Sequence, residues 1–168
     1  GHTYPKTKKQ QYTRNLQRRF SKMRTRRRDP KSSHCIIIAL SKVMKNNRYK
    51  FYNRRPDGAL LEDCVCRAIS TATGLKYGAV ENLLTLTAEK EACDKLCVCC
   101  YHHLLEDVLL YPVFYCDGSE TVRDIAEEYP TQKIIIRISG HLTSAIYGTV
   151  LDIWDCTGKP VDCFWIVQ

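Results

Sequence analysis

The chain has 168 residues, 44% of them apolar, 10 cysteines and a net charge of +8. No apolar run reaches the length of a membrane span, and the N-terminus lacks the apolar core of a secretory signal, so the reading is a cytoplasmic protein with no membrane contact. In that setting so many cysteines predict free thiols, a metal site or a catalytic thiol rather than a disulfide framework.

The charge is segregated. Residues 1–55 carry 18 Lys/Arg and one acid, a balance of +17, while residues 56–168 carry 8 Lys/Arg and 17 acids, a balance of −9. This predicts a basic arm over residues 1–33 and an acidic globule over 34–168. The arm has few core-forming residues and reads as solvated and partly helical at most. Arg26, Arg27 and Arg28, with Tyr4, Tyr12 and Phe20 interleaved, suit non-specific phosphate contacts, so nucleic acid through residues 3–55 is one expected partner and an acidic protein another.

His34–Lys45 fits a helix or a buried strand, its Ile run favouring strand, and the capping residues Ser32 and Ser33 tip the reading to helix. A basic loop follows, closed by the turn Pro56-Asp57-Gly58. The next stretch, ALLEDCVCRAISTATG, places Leu60, Val65, Ala68, Ile69 and Ala72 on one helical stripe, with Gly74 as the C-cap. Lys76–Leu86 is a second helix and Cys93–Tyr111 a third, stopped by Pro112. A short strand at Val113–Cys116 and a capped helix, TVRDIAEEY, lead into three strand-like runs, KIIIRIS, HLTSAIY and TVLDIWD, separated by Gly140 and Gly148. DCFWIV is a last strand. Helices first and a mostly antiparallel sheet afterwards is an α+β pattern.

The chemistry concentrates on the middle strands. His141 opens one, and Asp152 and Asp155 lie near the end of its partner. An imidazole beside a carboxylate can orient and charge itself to activate a nucleophile. Cys64, in the first turn of a helix, is the candidate, because backbone N–H groups and the helix dipole there favour a thiolate. The bland alternative for any one of ten cysteines is a small buried hydrophobe. A strict two-residue turn at Tyr147-Gly148 faces His141 with Trp154 and puts Asp152 on its sheet face, whereas a bulge or longer turn favours Asp155. Trp154 and Trp165 read as core.

A rival site lies in CDKLCVCCYHH. Cys93, Cys97, Cys100 and His103 or His102 share a helical face and suit zinc, but the spacing fits no paired-knuckle pattern. A Cys-rich amphipathic helix is preferred, and no metal or cofactor is assigned.

The motif Asp63-Cys64-x-x-Arg67-Ala68, with Gly140-His141-Leu142-Thr143 and Asp152-Ile153-Trp154-Asp155-Cys156, resembles small papain-like cysteine-peptidase proteins of phage and bacterial genomes. The resemblance covers roughly residues 56–168. It implies a papain-like fold with N-terminal helices on the sheet, and a cysteine peptidase or related amide or isopeptide hydrolase acting on a protein or peptide. Cys64 is then the nucleophile and His141 the base. Related folds place the orienting residue just after the second strand, which selects Asp155 as the third member. A phage origin would make the compartment the host cytoplasm. One departure stands out: the residues just upstream of Cys64 hold no Gln or Asn for the oxyanion, and Asn53 is the nearest amide. The alternative function is a non-catalytic papain-like binding protein whose basic arm grips nucleic acid or an acidic protein.

Overall fold

The computed structural model describes residues 48–168. The basic arm and the helix expected at His34–Lys45 lie outside the described residues.

Six strands form one mixed sheet in the order β1-β5-β4-β3-β6-β2. They are β1 (Tyr49–Phe51), β2 (Val113–Tyr115), β3 (Lys133–Ile138), β4 (His141–Ile146), β5 (Thr149–Asp152) and β6 (Val161–Val167). Four described α-helices accompany them: α1 (Cys64–Thr73), α2 (Tyr77–Glu91), α3 (Val98–His103) and α4 (Val122–Glu128). The class is α+β, as the element order predicts, and no described helix is long and apolar enough to cross a membrane.

The strands β3, β4 and β5 form a meander with two-residue turns. Ile138 pairs with His141 across Ser139-Gly140, and Ile146 pairs with Thr149 across Tyr147-Gly148. Tyr147 and Gly148 both have positive φ, 50° and 81°. That is the backbone a tight primed hairpin turn requires, and it suits the right-handed strand twist. Continued beyond its last pair, Ser144 with Leu151, this register sets Thr143 against Asp152 and His141 against Trp154.

β1 was expected to be loop. It pairs in parallel with β5, Phe51 beside Asp152, and the Tyr52 N–H donates to the Asp152 carbonyl at 2.9 Å. Three residues in a basic run carry too little alternation to read as a strand. Their effect is large, because they hold the outer edge of β5.

Both sheet faces are covered. Ile135, Leu142, Cys163 and Trp165 join Val65, Ile69, Val80, Leu84 and Leu104 in one buried cluster under α1, α2 and α3. Ile134, Ile136, Phe164 and Ile166 are also buried, with the Phe114 and Tyr129 rings 5.2 and 5.1 Å from that of Phe164. This is why KIIIRI reads as continuously apolar rather than alternating. α1 ends as expected at Gly74, whose φ of 78° lets its N–H reach the Ser70 carbonyl. Leu60 was placed on the α1 stripe, but the helix begins at Cys64 and Leu60 is exposed. The third expected helix starts late. Residues 93–97 are turns, α3 is short, and a π-helical turn, Leu104–Val108, follows it. Thr121 and Asp124 close a capping box on α4.

Candidate active site

Cys64 is the first residue of α1, so its backbone N–H has no acceptor within the helix. The preceding turn is locked from below. Asp63 is buried, takes hydrogen bonds from the Tyr77 hydroxyl and from Arg55 at 3.3 Å, and forms an ion pair with Arg67 one turn along the helix. Arg67 also donates to the Leu61 carbonyl at 2.6 Å. The Asp63-Cys64-x-x-Arg67 motif is thus an internal i,i+4 ion pair that fixes the helix tip carrying the thiol. Cys66, two residues on, is buried and donates to the Tyr77 carbonyl, and burial pushes its thiol up to about 11.

His141 meets two partners. Its Nε2 lies 2.7 Å from Asp152 Oδ2. With Nε2 so engaged, Nδ1 is the nitrogen left for the Cys64 thiol, which lines the same cleft and interacts electrostatically with the ring. Asp152 is itself held: Oδ1 accepts the Ile153 N–H at 2.7 Å, and the buried Cys156 thiol donates to Oδ2 at 3.9 Å. β1 and β4 flank its strand.

Asp155, selected above as the orienting carboxylate, does not reach the ring. It accepts from the Thr157 N–H at 3.0 Å and hydroxyl at 2.6 Å, closing a local turn. The strict two-residue turn is the physical reason: it brings Asp152 to the His141 side of the sheet and lets the chain leave before residue 155. Trp154, expected in the core, is 39% exposed, and its ring stands 5.1 Å from that of His141. Trp165 is fully buried as expected. Asn53 spends its amide N–H groups on the Gly58 and Ala59 carbonyls at 3.1 and 3.0 Å, so it offers nothing to an oxyanion at Cys64.

The electrostatics run in opposite directions on the two reacting groups. Burial raises the Cys64 pKa, but the hydrogen bond with His141, the Leu142 backbone N–H and the nearby imidazole charge outweigh it, and the thiol falls below its usual 9.0. Burial lowers His141, but the hydrogen bonds with Asp152 and Cys64 dominate and raise it from 6.5 to about 9. Together these favour a thiolate–imidazolium pair over the neutral pair.

Both groups face one cleft of about 160 Å³, lined also by Leu96, Val98, Tyr101, Arg137 and Gly140. Arg137 and Ile138 are consecutive, yet both reach the cleft. They lie at the end of β3, where the β3–β6 register shifts and Asp162 is the extra residue on β6. Tyr101, missed by the sequence reading, contributes a phenol that burial raises to about 12, so it stays a hydrogen-bond donor at all ordinary pH.

The rival cluster divides. Cys93, Cys97 and Cys99 bring their sulfurs within 4.8 Å of one another. Cys100 points into the core and donates to the Leu84 carbonyl at 3.4 Å. His102 pairs with Glu106, and His103 with Glu91 and Asp107. The expected set of Cys93, Cys97, Cys100 and a histidine is therefore not assembled, because Val98 begins α3 and turns Cys100 inward.

No family model, curated protein or solved structure matches the chain.

Proposed function

We propose that the chain is a cysteine hydrolase of amide or isopeptide bonds, of papain-like type, with Cys64 as nucleophile, His141 as acid–base and Asp152 as the carboxylate that orients the ring. The observation that carries this reading is the His141 imidazole held by a buried carboxylate at 2.7 Å, with a helix-tip thiol lining the same cleft. The Cys64 thiolate attacks the carbonyl carbon, and the carbonyl oxygen becomes an oxyanion facing the free Cys64 backbone N–H. His141 gives its proton to the leaving nitrogen as the C–N bond breaks. The neutral ring then takes a proton from water, which attacks the thioester and releases the acid. Asp152 keeps the ring in the tautomer that presents Nδ1 to sulfur and stabilises its charged form. A protein or peptide is the substrate class.

An epoxysuccinyl or vinyl-sulfone electrophile tests this. It should label the wild-type protein at Cys64, and Cys64→Ala should lose that label while keeping its circular dichroism. Equal total labelling of the two would remove the nucleophile.

The +17 charge of residues 1–55 favours a second reading, in which that segment grips nucleic acid or an acidic protein beside or instead of turnover. Binding to duplex or single-stranded DNA should then weaken steeply with salt and vanish on deleting residues 3–31. Salt-independent binding, or none at low salt, removes this reading.

A further inference from the structure

A second group of thiols stands beside the same cleft. Cys93, Cys97 and Cys99 come from one short segment and form a grouping that does not include His141. We propose that these three thiols form a binding site for a thiophilic divalent cation of the Zn²⁺ class. Their sulfurs lie within 4.8 Å of one another, and those of Cys97 and Cys99 are 2.6 Å apart. Three sulfurs bound to one zinc at about 2.3 Å sit somewhat under 4 Å from each other, so small rotations of the Cβ–Sγ bonds suffice.

The surrounding backbone is already set. Cys97 caps α3, and its sulfur accepts the Cys100 N–H at 3.3 Å, the kind of outer hydrogen bond that stabilises a metal-bound thiolate. Asp94 fixes the approach, accepting the Leu96 N–H on Oδ1 at 2.8 Å and the Cys97 N–H on its carbonyl at 3.1 Å. Cys93 and Cys97 are half-buried, and Cys99 is exposed. Solvent therefore reaches the fourth position, and water completes the tetrahedron. All three donors are soft, which selects zinc over magnesium or calcium.

The location gives the site a consequence. Leu96 and Val98, which flank Cys97, line the Cys64–His141 cleft. Metal bound to residues 93, 97 and 99 would pin that wall, and stripping the metal would release it.

Co²⁺ titration of the full-length reduced protein tests the site, because thiolate coordination gives sulfur-to-cobalt charge-transfer bands. One equivalent should bind with those bands, Zn²⁺ should displace it, and Cys93→Ser/Cys97→Ser/Cys99→Ser should lose the bands. His141→Ala should keep them. Loss in His141→Ala would assign the ion to the other grouping that could hold a metal, His141, Asp152 and Cys156, and would overturn the proposal. A second measurement needs no variant. Zn²⁺ should protect Cys93, Cys97 and Cys99 of the wild type from N-ethylmaleimide by at least tenfold, read peptide by peptide. Unprotected thiols would overturn the proposal. So would the mass deficit of a lost hydrogen pair on the 93–99 peptide, which would mark a Cys97–Cys99 disulfide.

Discussion

Two described helix tips carry a cysteine and border one cleft, which Cys64 lines directly and Cys97 borders through its neighbours Leu96 and Val98. Cys64 opens α1, and Cys97 caps α3. Both are half-buried, and both thiols fall below their usual value although burial opposes it. The helix end is therefore not what separates them. The partner is. Cys64 meets an imidazole that can hold or give a proton. Cys97 meets the Cys93 and Cys99 thiols, which can share a proton or a cation but cannot deliver a proton to a leaving group. The same residue type at the same kind of position is poised as a nucleophile in one case and as a ligand in the other.

Breaking the partner should break the difference. His141→Ala should cost Cys64 about 10²–10⁴-fold in peptide hydrolysis or covalent labelling near neutral pH, the range for a lost general acid–base. It should leave labelling of Cys97 and Cys99 unchanged. Asp152→Asn keeps the shape but removes the charge facing Nε2, and a loss of about 10²-fold or more in the same assay is expected. Asp63→Asn attacks the helix tip from beneath. Breaking its buried ion pair should lower unfolding free energy by about 3–5 kcal/mol in a denaturant titration. Asp155→Asn is the smallest, because its carboxylate serves only the Thr157 turn. Activity within about threefold of wild type is expected, with stability changed by about 1 kcal/mol. A large activity loss from Asp155→Asn alongside an unaffected Asp152→Asn would reverse the assignment of the orienting carboxylate.

The sequence made much of this legible, and the misses have identifiable causes. α1, its Gly74 cap and the meander around Gly140 and Gly148 follow from apolar period and turn chemistry. The register argument put Asp152 on the His141 side for a strict two-residue turn and left Asp155 for a bulge or longer one. Analogy to related folds selected Asp155, and the two positive-φ residues of the Tyr147-Gly148 turn select the strict turn and Asp152. β1 escaped notice because three residues in a basic run have no period to detect, although they hold the edge of the strand that bears Asp152. The thiol set at 93–99 was misread because a continuous helix was assumed from Cys93. Turns at 93–97 exchange Cys100 for Cys99 in the cluster. Trp154 carries no sequence sign that it leans on His141 rather than filling the core. The long reach between Cys64 and His141 is a tertiary fact, and only a resemblance could anticipate it.

The central claim is that His141 sets the reactivity of Cys64. It is tested most directly by the pH dependence of iodoacetamide alkylation at Cys64, followed by peptide mass spectrometry in wild type and His141→Ala. The thiol is lowered and the imidazole raised to about 9. Wild-type Cys64 should therefore react on the acid side of the ordinary thiol range, with a further change near pH 9 as the ring loses its proton. In His141→Ala the onset should move up toward the usual 9.0 and the second step should disappear. Superimposable curves for the two proteins would contradict the account.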